Sequence, residues 1–322
     1  MTTSFGAQLW SQASDWPRLR DAAIEAEAAG WDSVWTWDHL LAIQGPWRQP
    51  IFEGWLTLAA WAALTTRLRL GLMVGANTFR NPGHTAKLAT TLDHISDGRA
   101  ILGIGGAWFE REHDAFGIDF GSGFGERLDR LDEAVGLIRG LLDGETVDHQ
   151  GPAYRFHEAE QLPRPVQSHL PILVGGSGPK KTLRTVARIA DAWNTAGTLE
   201  EVTTRVAILG EHCVAVGRDP SEIEQTVSFP IVIRDRREDA ASALDDLLAN
   251  NRMEGGIPGM NVPVLLGSPA DIAAAIDPYR DLGFNTVIVR MPAPYDRETL
   301  ARISEVRLAL DGATVAGSGS AG

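Results

Sequence analysis

The chain has 322 residues, a net charge of −13, 44% hydrophobic residues and a single cysteine. That apolar fraction belongs to a soluble globular protein with a sizeable core. The acidic balance excludes nucleic-acid and anionic-membrane partners, which favour basic faces, and lone Cys213 excludes an internal disulfide and a multi-cysteine metal site.

Strand-like and helix-like runs alternate from end to end. Residues 5–10 read as a strand. Asp15-Trp16-Pro17 opens a helix, with Asp15 as cap and Pro17 in the first turn. Gly30 supplies its left-handed stop. A strand over 33–37, a helix over 54–64 and a continuous apolar strand over 68–74 follow. Next come a helix over 82–95, a turn at Asp97-Gly98 and a strand over 100–104. A periodic helix over 126–142 leads into a hairpin over 146–156. A strand over 171–174, a helix over 179–189 and a strand over 191–195 come next, then a helix over 200–216 and a strand over 226–233. The stretch 237–284 is helical at both ends, with a Gly/Pro loop around 255–263. A strand over 286–290 and a helix over 297–310 end the pattern. No apolar run reaches the ~18 residues of a membrane span, and residues 1–10 lack a secretory pattern. The expectation is a cytoplasmic enzyme or binding protein with a small-molecule substrate.

About eight βα units over this length imply a closed (β/α)8 TIM barrel with insertions, not an open sheet. One barrel domain is expected over 1–312, with 313–322 a disordered tail. Eight of the ten tryptophans, at 10, 16, 31, 35, 37, 47, 55 and 61, crowd the start of the chain. Trp31 reads as a plug beneath the barrel with Phe284 as its counterpart. Trp16, Trp55 and Trp61 read as helix packing, and Trp37, Trp47 and Trp108 as walls of a site.

Sites in such barrels lie at the C-terminal ends of strands. After the second strand stand Trp37-Asp38-His39, with His39 a candidate general acid or base. After the third comes 73–82, whose small residues allow close approach to the backbone and whose Asn77 and Arg80 are polar contacts. After the fourth, Gly103-Ile104-Gly105-Gly106-Ala107-Trp108 lacks the third glycine of a dinucleotide fingerprint. It suits a flat ring instead. The run Glu110–Asp114 has no metal-binding spacing and reads as a solvated helix face, and no metal site is expected. After the fifth, Gly175-Gly176-Ser177-Gly178 enters a helix, an arrangement suited to a phosphate. It matches neither a Walker loop nor an esterase elbow. Together these describe a site for a flat, phosphorylated ring cofactor, and redox chemistry on a flavin-like ring is the leading expectation.

Several motifs carry a resemblance. They include Ser33-Val34-Trp35-Thr36-Trp37-Asp38-His39, Thr78-Phe79-Arg80-Asn81-Pro82, Ser96-Asp97-Gly98-Arg99 and Gly125-Glu126-Arg127-Leu128. Leu162-Pro163-Arg164-Pro165, the loop 171–178 and Ala190-Asp191-Ala192-Trp193-Asn194 complete the set. In number and order these resemble the bacterial luciferase-like superfamily of barrel oxidoreductases. Gly106-Ala107-Trp108-Phe109-Glu110-Arg111-Glu112 and Trp37-Asp38-His39 look most like its branch that uses the deazaflavin coenzyme F420. That resemblance implies a non-proline cis peptide at Met73–Val74, with the ring lying across that bulge near Asn77, Gly105, Gly106 and Trp108. It implies Asp38 hydrogen-bonded to the ring, and Gly175, Gly176, Ser177 and Gly178 around the phosphate. His39 would exchange a proton with the substrate, Trp37 and Trp47 would line its pocket, and Glu110 is the candidate acid partner. Gly106 stands where sugar-phosphate dehydrogenases of the branch carry glutamate, which argues against a sugar phosphate. The loops 40–52 and 252–263 show apolar and small residues and no charge cluster, so a fairly apolar substrate is expected. The alternatives on the same fold are an FMN-dependent monooxygenase with a separate reductase, and a non-catalytic binding barrel. Dimers are common in the resembling family, so a homodimer is expected.

Overall fold

The computed structural model describes residues 2–253 and 262–317. The chain opens with β1 (Ser4–Leu9), α1 (Trp16–Ala28), β2 (Ser33–Thr36), α2 (Gly54–Leu64), β3 (Arg69–Leu72), the short β4 (Gly75–Ala76), a 3-10 turn (Asn77–Phe79) and α3 (Pro82–Ser96). It continues through β5 (Ala100–Gly105), α4 (Glu110–Phe116), α5 (Phe124–Leu142), a hairpin of β6 (Val147–Gln150) and β7 (Arg155–Ala159), β8 (Ile172–Gly175), α6 (Thr182–Ile189) and β9 (Ala192–Thr195). It ends with α7 (Leu199–Val216), β10 (Glu224–Ile233), α8 (Arg237–Asn250), β11 (Leu265–Gly267), α9 (Pro269–Arg280), β12 (Phe284–Met291) and α10 (Arg297–Gly317).

Parallel pairing runs β1-β2-β3-β5-β8-β9-β10-β12 and returns to β1, which closes the barrel. The alternation of side chains explains why it closes. Phe5, Ala7, Leu9, Val34, Leu70, Leu72, Leu102 and Ile104 face outward into one large apolar layer shared with the helices. Residues of opposite parity turn inward. Trp35, Met73, Ile101, Leu173, Ala192 and Ile288 form a separate cluster that fills the interior. Some strands, such as β5, carry apolar side chains on both faces because both faces pack, whereas β1 turns Gly6 and Gln8 inward and β10 turns Thr226 and Ser228 inward.

Local chemistry sets the helix ends. Asp15 accepts the Arg18 N–H at 2.9 Å, and capping boxes at Thr198/Glu201 and Ser268/Asp271 open α7 and α9. Gly30, at φ +84°, ends the α1 turn. Trp31 is buried, and its indole N–H donates to the Leu300 carbonyl of α10 at 3.0 Å. Trp31 and Phe284 both lie in the layer between strands and helices, as do buried Trp55 and Trp61.

Several boundaries differ from the sequence reading. The last strand, expected from 286, starts at Phe284, and the helix expected to end at 310 runs on to Gly317. The helix expected from 179 starts at Thr182, because residues 179–181 form a turn that the Leu183 N–H closes on the Gly178 carbonyl. The strand expected from 226 starts at Glu224. The edge strand β11 was not expected; its three residues are too few to show a period. Most of the expected Gly/Pro loop, and residues 318–322 of the expected tail, lie outside the described residues. Among the described residues, no helix is long and apolar enough to cross a membrane.

Candidate active site

The mouth of the barrel is built around one backbone irregularity. The Met73–Val74 peptide is cis, as the family resemblance implied. The chain then rejoins the sheet as β4, beside Ile104 and Gly105 of β5. Gly103 has to lack a side chain, since a Cβ there would run into the Leu72 carbonyl. Val74 packs between the strands on the other side: a Cβ on Gly105 would stand 2.8 Å from it and one on Gly175 2.7 Å.

Clamps from several elements hold this bulge. Gln8 of β1 donates to the Met73 carbonyl at 3.0 Å. Buried Asn77 donates its amide N–H to the Tyr154 hydroxyl, in the turn of the hairpin, at 3.1 Å. Thr78 Oγ1 lies 2.6 Å from His113 Nε2, while His113 Nδ1 meets the Phe109 carbonyl at 2.9 Å. Asp38 accepts the Ala76 N–H at 2.8 Å and both terminal nitrogens of Arg80 at 2.7 and 2.8 Å. Arg80 also reaches Glu53. Burial pulls the Arg80 guanidinium down, but Asp38 and Glu53 more than offset it and hold it charged. Asp38 continues the outward-facing parity of Val34, so its carboxylate lies behind the bulge.

His39 follows at the rim. Its Nδ1 lies 2.8 Å from Oε1 of Glu112, whose Oε2 accepts the Leu40 N–H at 2.9 Å. The rings of Trp108, Phe109 and Trp37 stand edge-on to the imidazole, at centroid distances of 5.8, 6.2 and 6.3 Å. Trp37 is also packed on Trp10 at 4.6 Å.

This corrects the reading of the run Glu110–Asp114 as a solvated face. Glu112 is only 1% exposed and His113 is fully buried, while Glu110, the expected acid partner, is exposed. The sequence held a signal. Apart from Ala115 and Phe116 this short helix has no apolar residue, so any face it buries has to be polar. A buried polar face then needs partners, and His39 and Thr78 supply them.

The remaining expected residues fall around the same mouth. Trp47 is half-buried, with the guanidinium groups of Arg48 and Arg111 over its ring at 4.6 and 4.3 Å. Trp108 is 57% exposed. On the β8 side, the Gly176 N–H donates to the Asn194 carbonyl, and the Gly176 carbonyl accepts the Trp193 indole N–H. Ser177 is exposed, and Leu128 of α5 packs against both Gly106 and Gly178. Helix α6 has no side-chain cap at its start, unlike α1, α2, α3, α7 and α9. A helix start without a side-chain cap, beside an exposed glycine loop, suits a phosphate, although the Leu183 N–H already donates to the Gly178 carbonyl. One mouth residue was missed: Arg290, on the inward parity of Ile288 in β12, whose guanidinium burial pushes down to about 10. A single Arg in an apolar strand carries no pattern from which to infer a role.

Among the described residues, no group of three or more His, Cys, Asp or Glu could hold a metal ion. The chain is 32% identical over 318 residues to an F420-dependent glucose-6-phosphate dehydrogenase of Kineococcus radiotolerans, covering 89% of this chain and 90% of the relative. It is 34% identical over 240 residues to a phthiodiolone/phenolphthiodiolone dimycocerosates ketoreductase of a Mycobacterium species, covering 67% of this chain and 61% of that protein. The structure of an F420-dependent secondary alcohol dehydrogenase shares the fold, with a TM-score of 0.80 at 20% identity, covering 96% of this chain and 99% of the other. Residues 1–286 match the profile of the luciferase-like monooxygenases, and the chain belongs to that family.

Proposed function

We propose that the protein is an oxidoreductase that uses coenzyme F420 to move a hydride to or from a small, fairly apolar organic substrate, with His39 as proton donor or acceptor. The observation that carries this reading is His39 itself, set at the barrel mouth on a buried carboxylate and walled by aromatic rings. The relatives named as an F420-dependent dehydrogenase and a ketoreductase support the cofactor and the class of reaction.

The bulge at Met73–Val74, with Asn77, Gly105, Gly106 and Trp108, would hold the ring. Gly175, Gly176, Ser177, Gly178 and the uncapped start of α6 would hold the phosphate. Packing keeps Gly175, Gly176 and Gly178 without side chains, since a Cβ there would push against Val74 or Thr182, and this leaves the loop backbone bare. Bound there, the deazaflavin supplies a ring carbon that gives or takes a hydride. His39 handles the accompanying proton at Nε2, because Nδ1 is held by Glu112. Trp37 and Trp47 would wall the substrate. Trp37 belongs to one apolar cluster with Trp10, Ile43, Leu244, Leu248 and Met253, which favours an apolar body on a substrate set against it.

Titration of the purified protein with F420 and with FMN, read through tryptophan quenching, tests the cofactor. Preferential deazaflavin binding is expected. FMN preference with an oxygen-dependent product would make it a monooxygenase served by a separate reductase. Tight binding without hydride exchange over a broad panel of alcohols and ketones would make it a binding barrel. His39→Ala should lower turnover by about 100-fold or more while cofactor affinity holds; full turnover at saturating substrate would remove His39 from the mechanism.

A further inference from the structure

We infer that Glu112 is the positioning residue of His39: it fixes the proton on Nδ1 and leaves the Nε2 lone pair to the substrate. The role in turnover rests on the proposed function, while the tautomer does not. Oε2 already accepts the Leu40 N–H at 2.9 Å, so Oε1, at 2.8 Å, is the oxygen that faces Nδ1. A carboxylate offers only acceptors, so the ring nitrogen facing it has to be the donor. The second nitrogen is then the acceptor, and its orientation is set by the bond at the first. The Leu40 contact adds rigidity, since it fixes the carboxylate to the backbone one residue beyond the histidine.

The same carboxylate stabilises the imidazolium that forms when Nε2 takes a proton. The other charged groups on the adjoining elements are engaged or exposed. Asp38 is closed on Arg80, His113 on Thr78 and the Phe109 carbonyl, Arg111 lies over Trp47, and Glu110 is exposed. Glu112 is therefore the charge that responds to His39.

Glu112→Gln keeps the shape and changes the hydrogen bonding. With its oxygen on the Leu40 N–H, the new amide N–H faces Nδ1 and drives the proton to Nε2. Long-range 1H–15N correlation spectra of histidine-labelled protein, without cofactor and with His39→Ala for assignment, read the tautomer directly. The expected result is Nδ1–H in the natural protein and Nε2–H in Glu112→Gln. With substrate and deazaflavin, the variant should lose about 100-fold in kcat. Cofactor affinity should hold. An Nε2–H signal for His39 in the natural protein would overturn the inference even if the variant fails to fold. So would a Glu112→Gln protein whose His39 tautomer is unchanged. Failure of the deazaflavin titration alone would sink the proposed function and leave the tautomer result standing.

Discussion

Arg80 grips Asp38 through two parallel hydrogen bonds of 2.7 and 2.8 Å, and Asp38 in turn holds the Ala76 N–H just beyond the cis peptide. The end of the second barrel strand thus supports the bulge after the third. Breaking a buried pair leaves an uncompensated charge, which costs about 3 kcal/mol or more. Asp38→Asn should therefore lower the urea midpoint markedly. Asp38→Ala and Arg80→Ala should weaken deazaflavin binding to similar degrees, and the double variant by little more than either single one. Additive losses would mean that Asp38 acts on the ring directly.

Gly175 lies against Val74. An added methyl would sit 2.7 Å from the valine, far inside van der Waals contact. Overpacking of this kind costs about 1–3 kcal/mol, and here it displaces the platform residue. Gly175→Ala should weaken deazaflavin binding by about tenfold, and adding Val74→Ala should restore part of the loss. Isothermal titration of the two proteins checks this.

Glu126 at the start of α5 is held down to about 2, first by the hydroxyl and N–H of Ser122 and then by Arg130. Its folded value lies below its ordinary 4.5, so the stability it contributes is complete above that value and lost as pH falls toward 2. Side-chain carboxyl NMR should give a midpoint near 2 in the natural protein. Ser122→Ala should move it upward, and an unmoved midpoint would contradict the assignment.

Cys213 is buried on α7, and burial pushes its thiol up. Low thiolate content and poor access both slow reaction. A disulfide reagent should leave the native protein unlabelled over minutes and label it at once in denaturant. Rapid native labelling would mean that α7 opens readily.

Much of the barrel is legible in the sequence. Ala100–Ile104 is apolar on both faces because that strand packs on both sides, and Phe5–Leu9 and Leu70–Leu72 show their apolar side chains at alternate, outward positions. Asp15, Ser268 and Gly30 mark helix ends through short-range hydrogen bonding and backbone freedom. The glycine loop at 175–178 and the His39 position follow from the rule that loops after strands carry the site. Parity along β2 even separates Trp35, turned inward, from Val34, turned outward.

The partners of those residues are another matter. Glu112 stands 73 positions after His39, Arg80 42 after Asp38, and Tyr154 77 after Asn77. Periodicity reports which way a side chain faces along its own element and is silent about what another element brings to meet it. A charged run such as Glu110–Asp114 has the composition of a solvated helix, and only its placement across the barrel mouth buries Glu112 and His113. The sequence by itself determined the barrel, the loops that carry the site and the histidine at its rim, because these rest on local patterning. The tertiary structure decided which carboxylate meets His39 and which supports the bulge, because those pairings exist only once distant strands are closed into one ring.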